Sequence, residues 1–200
     1  MSRWWSRLVG RGDPIDPAVG AALGLRDGDR VLAWARDVAT GAVIVASLHG
    51  LHHVPASVLS ANDGGPAPQA RAAAPTTVAA GGAARWSRRW LDVAAGAWEP
   101  HTATLTVTWA DAGRPAMWTL SGDAVRLAAV LHDRVNASVL LASPVVMGER
   151  DLGRVALRKD LATGELIEQT TLRRRSDADD PAVAAYVADL AADLREQAGL

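Results

Sequence analysis

The chain has 200 residues, 49% hydrophobic and 22% charged, enough for one substantial domain or two small ones around a real core. A formal net charge of -1 and a pI near 6.5 argue against a general nucleic-acid binder, so no nucleic acid is expected as a partner. Without cysteine, disulfides, thiolate metal sites and thiol nucleophiles are excluded.

No apolar run approaches the roughly 20 residues that span a bilayer, and residues 1 to 11 lack the apolar stretch and cleavage site of a signal peptide. The expectation is a soluble cytoplasmic protein. Of the 21 basic residues only Lys159 is lysine, a bias associated with GC-rich bacterial genomes.

Residues 1 to 29 read as an N-terminal extension, with a short helix near Ala18 to Leu23 that Asp16 caps and Pro17 starts. Val31 to Arg36 and Ala42 to Leu48 read as strands joined by the polar loop Asp37 to Gly41. Gly50 leads into a third strand, Leu51 to Pro55. Residues 59 to 84 hold three prolines, four glycines and no aromatic residue, so they are expected to be a disordered insertion.

Order is expected to resume at Arg85. Trp86, Trp90, Trp98, Trp109 and Trp118 mark the interior, because a chain with no phenylalanine and one tyrosine has few other large side chains to fill it. Ser87 to Ala95 reads as one strand, and Gly96 as a bulge or turn. In Thr102 to Trp109, Ala103, Leu105, Val107 and Trp109 alternate with threonines, one face buried and one wet. Ala116 to Leu120 pairs back on it.

Ser121 and Asp123 offer caps for a helix running to about Leu140, with Leu127, Val130 or Leu131, Val135 and Val139 on its apolar face. After Pro144, Leu152 to Lys159 and Glu165 to Arg173 form a hairpin. Asp180 and Pro181 then open a final helix with Val183, Val187, Leu190 and Leu194 at helical spacing. That stripe is too short for a free-standing coiled coil, so packing on its own sheet is the stronger option.

The fold class is α+β: a bent antiparallel sheet or partial barrel with a packing helix over residues 30 to 142, extended by the hairpin and helix of residues 143 to 200. The order of these signals resembles a family of small, uncharacterised actinobacterial proteins with a pleckstrin-homology-like fold. The matching pieces are Arg30-Val31-Leu32-Ala33-Trp34, His49-Gly50-Leu51, Arg89-Trp90-Leu91-Asp92 leading to Trp98-Glu99, Leu105-Thr106-Val107-Thr108, and Arg134-Val135-Asn136-Ala137-Ser138-Val139. The resemblance implies a fold and brings no activity with it. Lipid-binding relatives carry a basic cluster in the first hairpin loop, whereas Asp37 to Gly41 has neither arginine nor lysine.

The histidines are the first candidate chemistry. In a strand His49 and His53 share a side, a spacing that suits zinc or copper, yet no nearby carboxylate or thiolate completes a ligand set. No cofactor is expected, and hydrolase, nucleotide-loop and metalloprotease signatures are missing. Arg154, Arg158, Lys159, Arg173, Arg174 and Arg175 make a basic strip if the hairpin strands pair, interrupted by acids. Trp4 and Trp5 among arginines suit a membrane interface or a protein contact.

The leading expectation is a non-catalytic module that binds another protein or a second copy of itself. The alternatives are a peripheral anionic-membrane binder using Trp4, Trp5 and the arginine hairpin, and a small enzyme without a recognisable motif.

Overall fold

The computed structural model describes residues 14–61, 84–173, 176 and 180–200. The disorder expected over 59 to 84 therefore falls mostly outside the described residues, as do Trp4, Trp5, Arg174 and Arg175. Within them the fold is α+β, built on a seven-stranded and a three-stranded antiparallel sheet.

The first helix, α1 (Pro17–Leu23), starts and stops where local chemistry dictates. Asp16 accepts the Ala18 amide at 2.8 Å, Pro17 occupies the first turn, and Gly24 closes the helix at φ 56°. Strands β1 (Val31–Asp37), β2 (Val43–Ser47) and β3 (Gly50–Val54) then form a meander. Asp37 ends β1 by accepting the Thr40 amide and hydroxyl on one oxygen and the Thr119 amide on the other. β2 is buried on both faces. Ile44 and Ala46 face the main core, while Val43 and Val45 face α1 and a short helix α2 (Ala56–Ala61).

Ser87 to Ala95 is not one strand. It divides into β4 (Trp86–Arg89), a 3-10 turn (Trp90–Asp92) and β5 (Val93–Glu99). With β6 (Thr104–Trp109) and β7 (Ala116–Ser121), the sheet order is β4-β3-β2-β1-β7-β6-β5, so that turn links its two outer edges. The sheet bends far enough for three residues to cross between its edges, without closing into a barrel. Asp92 holds the turn by accepting the Arg89 amide at 2.9 Å. No glycine or proline marks this break, because burial of both Trp90 and Leu91 makes it.

Helix α3 (Ala124–Ser138) lies over β1 and β5 with Leu127, Leu131 and Val135 buried. Leu131 rests on Gly96, where a Cβ would collide with its side chain, so the glycine inside β5 serves close approach of the helix. Asp123 sits at the N-cap, but its side chain makes no capping bond. All five tryptophans from Trp86 to Trp118 belong to or pack against this core, with Trp90, Trp109 and Trp118 buried.

The helix ends at Ser138 rather than near Leu140, and Val139 begins β8 (Val139–Met147), a strand the sequence reading missed. Helical periodicity ran into Val139, and Pro144 discouraged a strand. Pro144 is tolerated because β8 is an edge, in the order β10-β9-β8. β9 (Arg150–Lys159) and β10 (Leu166–Leu172) are the expected hairpin. Helix α4 (Pro181–Ala198) repeats the Asp-Pro start, with Asp180 accepting the Ala182 amide at 2.9 Å. Its Val183, Ala191 and Leu194 pack on Val145, Leu152 and Val155 of the three-stranded sheet, with Val187 and Leu190 alongside. Among the described residues, no helix is long and apolar enough to cross a membrane.

Candidate functional site

One dense polar cluster lies at the two-residue turn Leu48-His49 between β2 and β3. Ser47 is its centre and is fully buried. Its hydroxyl oxygen accepts the Gly50 amide at 3.0 Å and the His49 amide at 3.3 Å, and lies 2.9 Å from Asp29 Oδ2 and 2.9 Å from His52 Nε2. With two amides donating to the oxygen, the hydroxyl's own proton has Asp29 Oδ2 and, at 3.2 Å, the Gly50 carbonyl as acceptors. Asp29 Oδ1 also accepts the His49 amide at 3.2 Å and stands 3.8 Å from the His49 ring. A serine, a histidine and a carboxylate meet here, but a buried hydroxyl spent on its own turn is no accessible nucleophile.

His52 and His53 sit on opposite faces of β3. His52 pairs with Val45 and shares its face, towards α1 and α2, whereas His53 pairs with Ile44 and faces the main core. There His53 stacks on Trp86 with centroids 5.5 Å apart, and Trp86 meets Trp109 edge-on at 5.4 Å. Arg88 lies 4.6 Å over the Trp109 ring and donates to Asp111 at 2.9 Å, so the aromatic cluster is closed by an ion pair.

Burial lowers the pKa of both histidines. For His52 the nearby Asp29 opposes this and Arg85 adds to it; for His53 the Ala84 carbonyl and Asp37 oppose it. A histidine held below its unfolded value of about 6.5 takes up protons more readily when unfolded. Stability from these two groups is therefore fully present above pH 6.5 and is lost as pH falls below it towards the folded values, by at most about 1.4 kcal/mol per pH unit per histidine. Urea titrations at pH 7.5 and 5.5 measure this loss, and replacing both histidines by glutamine is expected to reduce it.

The third constellation is Arg158, fully buried in the middle of β9. One guanidinium nitrogen, Nη1, donates to the carbonyls of Leu91 at 3.0 Å and Val93 at 2.8 Å and to Gln169 Oε1 at 3.1 Å. The other, Nη2, donates to the Trp90 carbonyl at 2.9 Å and to the Ser138 hydroxyl. The side chain gathers three carbonyls of the 3-10 crossing and fastens the second sheet to the first, while the Trp90 carbonyl also accepts the Val93 amide and the Leu91 carbonyl Gln169 Nε2. Burial, with Arg154 adding and Asp92 opposing, pushes its pKa down to about 10, so it stays charged at neutral pH.

The sequence-predicted residues scatter. His49 is in a turn beside Asp29 and His53 is inside a strand on the core face, so the two do not form a pair. No group of three or more metal-ligating side chains occurs among the described residues. Arg158 leaves the basic strip for the interior, because its guanidinium has five acceptors there. Arg154 donates to the Ala94 carbonyl at 3.3 Å, and Arg173 is paired with Asp151. The sequence reading missed Asp29, Ser47 and Gln169. A serine before a two-residue turn is a capping signal that could have found Ser47, whereas nothing local pointed to Asp29 or Gln169.

No protein-family model matches the chain. Neither curated proteins nor solved structures give a match.

Proposed function

We propose that this chain is a non-catalytic, cytoplasmic protein-interaction module with a pleckstrin-homology-like core, and that β8 supplies its contact surface. Two meanders, β1 to β4 and β5 to β7, followed by a helix across the bent sheet, support the resemblance in topology. The observation that carries the interaction reading is the outer face of β8. Leu140 is 51% exposed and Val146 41%, with Ala142 and Pro144 exposed between them, on an edge strand of nine residues without a charge. Its alternate residues Leu141, Val145 and Met147 pack towards α4.

An uncharged apolar stripe of this kind suits the apolar surface of another protein. Pro144 has no amide hydrogen, so an added strand would lack a bond in mid-strand and side-chain contact carries the association. An anionic surface is favoured less, because Arg158 is buried and Arg154 and Arg173 already have partners.

The test compares the full chain with a Leu140→Asp/Val146→Asp variant, using sedimentation for self-association and calorimetry with a partner purified from the native host. Placing two carboxylates on the stripe is expected to weaken binding by about tenfold or more at unchanged thermal stability. Equal binding by both proteins would discard β8 as the contact surface. Salt-sensitive binding to anionic vesicles, unaffected by the variant, would replace the reading with the membrane one.

A further inference from the structure

We propose that β5 is a self-pairing edge, to which a second copy of this chain adds its own β5 antiparallel, about a two-fold axis at Ala97. The outer strands of the two sheets are β4, β5, β8 and β10. Three of them carry features that discourage pairing. β4 is four residues long with Arg88 and Arg89, β8 holds Pro144, and β10 has Glu168 inside the strand. β5 has no charge or proline before its last residue, Glu99, and its Ala95, Gly96 and Ala97 are exposed.

The hydrogen-bond alternation fixes which backbone groups of β5 stand free. The Leu120 amide of β7 donates to the Ala103 carbonyl at 2.8 Å, so the Thr104 amide, on the other side of that peptide, points to β5. By alternation Thr104, Thr106 and Thr108 bond towards β5, and Leu105 and Val107 towards β7. Their partners Glu99, Ala97 and Ala95 are therefore spent on β6. Gly96 and Trp98 turn N–H and C=O to the open side, where the Ala94 carbonyl accepts Arg154 at 3.3 Å. Among the described residues, no strand pairs with β5 on that side.

Free residues spaced in this way are complementary to themselves. With Ala97 opposite Ala97 of the second copy, Gly96 lies opposite Trp98, and each such pair exchanges both of its backbone bonds. The axis residue is small, and Ala95 faces Glu99, so no like charges meet. The same register sets Pro100 of the second copy, which has no amide hydrogen, against Ala94, whose carbonyl already holds Arg154. Pairing thus ends where its donors end, with Glu99 of the second copy one residue from the position that Arg154 occupies. This contact lies on a different strand from the β8 stripe and does not rest on it.

The experiment follows the full chain by sedimentation velocity over a concentration series, with amide exchange measured by NMR at both ends of the series. A concentration-dependent dimer is expected. Protection of the Gly96 and Trp98 amides should rise with the dimer fraction, while the Ala95 and Ala97 amides, already bonded to β6, stay constant. Ala97→Lys and Ala97→Glu each set like charges against themselves across the axis and should weaken the dimer by about tenfold or more. An equimolar mixture of the two should recover a heterodimer, which also shows that both variants fold. Ala95→Lys, opposite Glu99, and Leu140→Asp/Val146→Asp should dimerise as well as the parent. A parent that stays monomeric throughout, a dimer that survives both Ala97 variants, or a mixture that associates no better than either variant alone would each overturn the proposal. So would a dimer lost in Leu140→Asp/Val146→Asp and kept in Ala97→Lys, which would assign the contact to β8.

Discussion

Replacing Arg158 by leucine is expected to destabilise the protein by about 3–5 kcal/mol, the size seen when buried polar partners are stranded. The substitution removes a charge from the interior, which by itself is favourable. It also takes the donor away from the Val93 carbonyl, the Ser138 hydroxyl and Gln169 Oε1, while the Trp90 carbonyl keeps the Val93 amide and Leu91 retains Gln169 Nε2 at 2.9 Å. The Val93 carbonyl is a main-chain group that no companion mutation can delete, so the loss outweighs the gain.

Arg158→Lys sharpens the test. An ammonium keeps the charge but cannot spread donors over a planar fork to reach acceptors on the crossing, α3 and β10 together. Lysine is therefore expected to recover less than half of the loss. Thermal unfolding reads both variants, at about 2–4 °C per kcal/mol for a chain of this size. A lysine variant as stable as the parent would show that charge alone, and not the fork of donors, holds the two sheets together.

Gly153→Ala is expected to cost about 3 kcal/mol or more, from unfavourable backbone conformation together with overpacking. Gly153 lies in the central strand β9 at φ 147°, opposite Leu172. A Cβ there would overlap the Thr171 carbonyl oxygen and come within 2.8 Å of the Leu172 Cα. Both obstacles are backbone, so no rotamer change relieves them, and β10 must move away from β9. Gly164→Ala provides the comparison, since it also has positive φ, at 79°, but its Cβ would meet only the flexible Lys159 side chain at 3.8 Å. Its cost should be about 1 kcal/mol. Equal losses at the two positions, measured by urea unfolding, would show that conformation rather than strand contact sets the penalty at Gly153.

These two positions show where sequence reading stops. Arg158 stood among six basic residues of a hairpin, and periodicity along β9 gave no reason to separate it from its neighbours. Its environment comes from Trp90 to Val93, far away in the chain, and from the accident that their carbonyls point at one place. The 3-10 crossing was invisible for a related reason. Ser87 to Ala95 alternates well enough to pass as a strand, and the break arises because β4 must join one sheet edge and β5 the other. The histidines were found, yet their pairing assumed one continuous strand, and the turn at Leu48-His49 separates them.

What the sequence by itself determined is the local architecture. Asp16 with Pro17 and Asp180 with Pro181 start helices, the alternating threonines define β6, and the tryptophans from 86 to 118 mark the core, because capping, strand alternation and side-chain size act over a few residues. Tertiary structure alone decided which sheet edges meet, that Val139 leaves its helix for an edge strand, and that Asp29, Ser47 and His52 share one hydroxyl. Such arrangements depend on backbone donors and acceptors brought together from distant segments. Their positions follow from how the whole chain packs.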